Sequence, residues 1–133
     1  KDYVQGQINH AKKEGFVTTI LGRRRYIPEI NNKNQGIRQL AQRQAVNTPI
    51  QGSASDLIKS AMVGIYEQIK INALKARMII QIHDELVFDV PKEEMEEFIK
   101  LARDKMENVL KLDVLIKVDI KKGNNWLEME EAG

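Results

Sequence analysis

Two short apolar runs, Ile79-Ile80-Gln81-Ile82 and Leu86-Val87-Phe88-Asp89-Val90, flank the charged cluster His83-Asp84-Glu85 and are closed by Pro91. Each run suits a strand and is too short for a helix, and the proline stops the second one. Residues 79–90 therefore predict a tight β-hairpin with His83-Asp84 at its bend. That pair lacks the Asn-Gly or Gly-X chemistry of ordinary two-residue hairpins, because positive φ is costly for a residue with a Cβ. An isolated Asp in a turn needs no function, and Glu85 can simply begin a strand with His83 at its rim. Three ionisable groups in a row ask for more, since adjacent carboxylates repel unless a cation lies between them. A divalent metal supplies that cation, and Mg²⁺ suits one or two carboxylates together with substrate phosphates.

The rest of the chain must bury this hairpin. With 133 residues and 42% apolar composition, the length allows about one domain with a modest core. No run approaches the roughly 20 apolar residues of a membrane span, and no signal-peptide pattern opens the chain, so no membrane is expected. The absence of cysteine excludes disulfides and thiolate metal sites and fits a reducing, cytoplasmic setting. Because the chain opens on Lys1, it is expected to be a piece of something longer. Residues 1–50 carry nine Lys/Arg against three Asp/Glu, whereas residues 51–133 carry twelve against sixteen. The first part has the electrostatics of a phosphate-backbone contact, and the second holds the acidic cluster.

Asp2 can cap a first helix with Val4, Ile8 and Ala11 at helical spacing, stopped by Gly15. Residues 16–20 and 23–27 read as a second hairpin, turning at Leu21-Gly22 and ended by Pro28, with Arg23, Arg24 and Arg25 near its bend. A solvated tip and a phosphate contact both fit this arginine run. After a polar loop, residues 37–47 return to helical periodicity, with Ile37, Leu40, Ala41 and Ala45 near one side and Arg38, Gln42, Arg43 and Asn47 on the other. Pro49 predicts a kink or break near Thr48. Ser53, with Asp56 three residues on, then caps a new helix whose stripe is Leu57, Ile58, Ala61, Met62, Ile65 and Ile69. Residues 92–110 predict another helix, whose acidic first turn is explained by the helix dipole. Val114, Ile116, Val118 and Ile120 alternate as in a half-buried strand, with Trp126 as an anchor. This order predicts an α+β fold: an antiparallel sheet with helices on one face, plus an N-terminal helix and hairpin, leaving the other face for a ligand.

Arg43, Asn47 and Gln51 recur at intervals of four, which makes them neighbours if the helix carries on past Pro49. Every base pair shows acceptors at purine N3 and pyrimidine O2 in the minor groove, so such a row of donors can grip any paired duplex without reading its sequence. Spacing alone serves a plain solvated face as well.

The run Thr48-Pro49-Ile50-Gln51-Gly52-Ser53-Ala54, followed by the hairpin from Ile79 to Val87, resembles the C-terminal part of the bacterial family A DNA polymerases. Gly22-Arg23-Arg24-Arg25-Tyr26-Ile27-Pro28, Ala41-Gln42-Arg43, Asn47 and Asn125-Trp126 fit the same pattern in the same order, so the resemblance covers nearly the whole chain. It implies that Asp84 is the family's second palm metal-binding carboxylate, with Glu85 its acidic neighbour and His83 close to the primer terminus; these three are the expected catalytic set. It likewise implies that Arg43, Asn47, Gln51 and His83 contact a primer–template duplex, with Arg23, Arg24 and Arg38 also near the DNA. Arg25 is variable in the family, and Ser55 stands where the family usually has Ala. The activity implied is two-metal, Mg²⁺-dependent nucleotidyl transfer from dNTPs onto a DNA primer, in replication and repair in a bacterial, nucleoid-associated cytoplasm. The family's other metal-binding Asp and its nucleotide-gripping fingers helix have no counterpart here. The resemblance thus makes residues 1–50 the end of the fingers with a basic segment, and residues 51–133 part of the palm. Such a fragment is expected to need the remainder of the polymerase chain and to be inactive alone. A metal-dependent nuclease or phosphodiesterase using His83 to activate water, and a non-catalytic duplex-binding module, remain as alternatives.

Overall fold

The computed structural model describes residues 2–132, which divide into two compact units, one up to Asp56 and one from Leu57. In the first, helix α1 (Asp2–Glu14) ends where expected, at Gly15 with φ +79°, whose N–H reaches the Ala11 carbonyl at 2.9 Å. The Gly15 carbonyl accepts the Ile27 N–H at 2.8 Å, tying the helix end to the return arm of the hairpin. Strands β1 (Phe16–Thr18) and β2 (Arg24–Tyr26) pair antiparallel, Phe16 opposite Tyr26 and Thr18 opposite Arg24. Pro28 opens a 3-10 turn over Pro28–Asn31. Ala11, Val17, Ile27, Ile30, Ala41 and Ala45 form the core of this unit.

Helix α2 (Gln35–Ile71) corrects two expectations. It starts at Gln35 because the Asn34 carboxamide oxygen accepts the Gly36 N–H at 2.9 Å and the Ile37 N–H at 3.3 Å, a side-chain cap at the point where the loop was expected to continue. Of the kink or break expected near Thr48, the break does not occur: the helix runs on through Pro49. A proline inside a helix costs about 3 kcal/mol or more, so contacts from outside the helix must offset it. Ser53 supplies one of them. Its hydroxyl donates to the Pro49 carbonyl and accepts the Ile20 N–H at 2.8 Å, so it braces the helix interior and is not an N-cap. Asp56, expected as its capping-box partner, pairs instead with Arg23.

In the second unit α2 ends in a left-handed cap. The Leu74 N–H reaches the Ile69 carbonyl at 2.9 Å and the Ala73 N–H the Lys70 carbonyl at 3.2 Å, with Ala73 at φ +52° where glycine is usual. Strands β3 (Arg77–Ile82) and β4 (Glu85–Asp89) then form the hairpin expected over 79–90, with two residues between them. A register shift between Met78 and Ile80 makes Ile79 an extra residue. Met78 and Phe88 therefore share one face with Gln81 and Leu86, while Ile80, Val87, Ile82 and Glu85 share the other. Met78, Leu86 and Phe88 pack on Ile65, Ile69, Ala76, Phe98 and Ala102, and the Phe88 and Phe98 rings meet edge to face at 4.8 Å. The opposite face is half apolar, since Ile80 and Ile82 are about two-fifths exposed there, so it is no purely polar ligand surface.

Beyond the hairpin, the helix expected over 92–110 is split into a 3-10 turn (Lys92–Glu94) and α3 (Met95–Glu107). Glu94, assigned to the helix dipole, accepts the Lys75 N–H at 2.9 Å and the Ala76 N–H at 3.2 Å, and so fixes the chain entering β3. The strand expected over 114–120 is not formed: those residues join no ladder, and only β5 (Lys121–Lys122) and β6 (Glu130–Glu131) pair after α3. The predicted alternation survives in burial alone, with Ile116, Val118 and Ile120 half-buried and Lys117 and Asp119 exposed. Trp126 is half exposed. The fold is α+β, as expected, with three two-stranded antiparallel ladders among the described residues in place of one sheet. No described helix is long and apolar enough to cross a membrane.

Ala73→Gly relieves the left-handed cap of its Cβ clash and is expected to raise unfolding stability by about 0.5–1 kcal/mol, read from urea denaturation. A lowered midpoint would show that unfolded-chain entropy outweighs the strain.

Candidate active site and nucleic-acid interface

Because α2 is unbroken, Arg43, Asn47 and Gln51 stand on one helical face, and all three are exposed. At the rise of an α-helix the row is about 12 Å long. That length covers three to four base-pair steps of about 3.4 Å. None of the three side chains has a hydrogen bond to another described residue, so their donors face outward.

The other arginines divide by what holds them. Arg38 is turned onto its own helix entrance, its Nη1 donating to the Asn32 carbonyl at 2.8 Å and the Lys33 carbonyl at 3.3 Å. Arg24 lies with its guanidinium 4.5 Å over the Phe16 ring and remains exposed, as does Arg25. Arg23 points back to α2. Its Nε meets Asp56 Oδ1 at 2.9 Å, its Nη2 the same oxygen at 2.8 Å and the Gly52 carbonyl at 3.2 Å. Asp56 is 8% exposed while the Arg23 side chain is about half exposed, so a largely buried carboxylate is met by a guanidinium that still reaches solvent. Gly52 makes room for it: a Cβ there would stand 2.6 Å from the Thr19 methyl.

Sequence reasoning missed this cluster of Thr19, Arg23, Gly52, Ser53 and Asp56. The signals were present. Asp56 is the one carboxylate between Glu29 and Glu67, and Gly52-Ser53-Ala54-Ser55 is a run of small residues in a helix, which marks close approach.

In the second unit, His83 and Asp84 form the two-residue bend between β3 and β4, and Glu85 opens β4 opposite Ile82. His83 sits at φ +51°, a left-handed conformation that costs a residue with a Cβ about 1–2 kcal/mol. The unusual turn chemistry seen in the sequence is therefore real strain, of the kind that collects at functional sites. All three side chains are exposed, and the Gln81 carboxamide donates to the His83 carbonyl at 3.0 Å. Among the described residues no three His, Cys, Asp or Glu side chains come together as a metal-binding group. Asp84 and Glu85 offer the hard oxygen donors that Mg²⁺ takes, in the number it takes from protein alongside phosphates and water. The donor set fits as one part of a metal site.

A family model described as DNA polymerase family A matches residues 1–128. The chain belongs to that family. It is 49% identical over 128 residues to DNA polymerase I of Bacillus subtilis, covering 96% of this chain and 14% of that protein. It is 44% identical to DNA polymerase I of Geobacillus stearothermophilus over 96% of this chain and 15% of that one. Among solved structures it resembles the polymerase domain of Pol1 from M. smegmatis, in complex with DNA primer-template and dNTP. That likeness has a TM-score of 0.85 and 44% identity, over 87% of this chain and 20% of that one. The chain thus spans about a seventh of the length of these two DNA polymerases I and a fifth of the M. smegmatis polymerase-domain chain.

Gly52→Ala places a methyl group against Thr19 and is expected to cost about 1–3 kcal/mol of stability, measured as a lowered thermal midpoint. An unchanged midpoint would mean that the hairpin bend yields without loss.

Proposed function

We propose that this chain is the duplex-gripping and carboxylate-bearing segment of a template-directed DNA polymerase, with the activity itself residing in a longer polypeptide. The observation that carries the reading is the unbroken face of Arg43, Asn47 and Gln51 in a family A chain. The M. smegmatis relative is a complex with primer-template and dNTP, which supports the same partners here. In this reading residues 1–50 belong to the end of the fingers and the basic segment, and residues 51–133 to the palm. A cytoplasmic setting in replication and repair follows from the bacterial relatives.

On this account the row Arg43, Asn47 and Gln51 donates to minor-groove acceptors that all four base pairs share. It holds a paired primer–template in register without regard to sequence. Arg24 lies on the same basic unit and supplies charge toward phosphate. Asp84, with Glu85 beside it, holds Mg²⁺ at the hairpin tip, and His83 lines the place of the primer terminus. Asp84 and Glu85 would hold part of such a Mg²⁺ site, whose chemistry would be to acidify the attacking hydroxyl and offset the charge of the nucleotide phosphates. A second carboxylate set is required from outside these residues, so the segment alone is inactive.

Two outcomes test this in a polypeptide of the relatives' full length. Asp84→Asn is expected to cut Mg²⁺-dependent primer extension by at least about a hundredfold while leaving the circular dichroism spectrum intact. Extension equal to wild type would reduce the hairpin to a structural turn. Gln51→Ala is expected to weaken extension about tenfold on every template, since the acceptors it meets are common to all pairs. A loss confined to particular bases would contradict the minor-groove assignment.

A further inference from the structure

Pro49 lies between Asn47 and Gln51, so the helical row spans the position where the backbone ladder is weakest. A proline donates no N–H, which leaves the carbonyl four residues back without its helical partner and favours a bend. A bend there would turn Gln51 away from Arg43 and Asn47. The turn carrying Gln51 is, however, the one the hairpin bend grips. Arg23 binds the Gly52 carbonyl and the Asp56 carboxylate, and the Ile20 N–H meets the Ser53 hydroxyl, which in turn reaches Pro49. The bend is itself closed by the Thr19 N–H on the Arg23 carbonyl at 3.0 Å and the Arg23 N–H on the Thr19 hydroxyl at 3.2 Å.

We propose that Arg23 is a positioning residue for the DNA-binding face: its guanidinium clamps the helical turn after Pro49, so that Arg43, Asn47 and Gln51 meet the duplex as one row. The proposal rests on the reading that this row binds primer–template DNA. It departs from the expectation that Arg23 contacts phosphate directly. The guanidinium fork is what the clamp uses, with Nε and Nη2 both on one Asp56 oxygen and Nη2 also on the Gly52 carbonyl, and an ammonium cannot reproduce it. A phosphate contact needs chiefly the positive charge.

Arg23→Lys separates the two roles. In the full-length polypeptide, binding of a fluorescein-labelled primer–template is measured across a salt series for wild type, Arg23→Lys, Arg23→Ala, Gln51→Ala and Arg23→Lys/Gln51→Ala. Both Arg23 variants are expected to weaken binding by about three- to tenfold, the range of one lost hydrogen bond. The slope of log K against log salt is expected to stay unchanged, and the double variant to bind no more weakly than Gln51→Ala. A Lys variant equal to wild type, with a slope reduced by about one in the Ala variant, would make Arg23 a phosphate contact and overturn the proposal. Additive losses in the double variant would overturn it too.

Hydrogen exchange without DNA gives an independent readout. Amides of residues 50–56 are expected to exchange faster in Arg23→Lys, and unchanged exchange would mean that there is no clamp. Faster exchange with unaltered DNA binding in Gln51→Ala would instead fail the reading of the row, and with it the positioning role.

Discussion

A carboxylate buried in the middle of a helix has to be met by a donor strong enough to replace water, and in this chain that constraint joins the first hairpin to α2. Asp56 is met by Arg23, and the rest of the contact follows from geometry. Gly52 has no side chain, so Thr19 can sit against the helix. Ser53 has a hydroxyl, so it can both donate and accept at that surface. The same few residues offset the proline that would otherwise end the helix. A continuous helix is in turn what aligns Arg43, Asn47 and Gln51.

The second unit solves a different problem, that of holding charged groups at the end of a narrow stalk. A two-stranded hairpin is marginal by itself and needs a packed face. Phe88 and Phe98 supply it, together with the cap at Ala73 and the Glu94 carboxylate that fixes the chain into β3. The tip can then carry His83 in a strained conformation with Asp84 and Glu85 beside it, because the stalk and not the turn supplies the stability.

How far the sequence foretold this depends on whether local or distant groups decide. The hairpin at 79–90, the stop at Gly15 and the α+β class depend on local patterns and were legible. The two-helix reading across Pro49 was wrong because the residues that rescue the helix come from Ile20 and Arg23, some thirty positions away. Ser53 and Asp56 looked like a capping box for the same reason: their spacing suits a cap, and only the partner tells otherwise. Glu94 sits where a dipole residue would, but its carboxylate serves the distant backbone N–H groups of Lys75 and Ala76. The outward row was legible as a possibility, and the clamp behind it was not.

The segment 114–120 keeps the alternation of a strand but joins no strand ladder among the described residues, its one backbone partner being the Ala132 N–H on the Ile120 carbonyl at 2.8 Å. Val114 and Leu115 are more than three-quarters exposed, and the Val118 N–H is held by the Glu107 carboxylate at 3.0 Å in place of a ladder bond. An extended backbone with open hydrogen-bonding groups and apolar side chains is a template for edge-to-edge association. Handled as an isolated polypeptide, this chain is therefore expected to be prone to concentration-dependent aggregation through that edge. Lys117 and Asp119, both exposed, are the charged side chains within the segment that interrupt that edge.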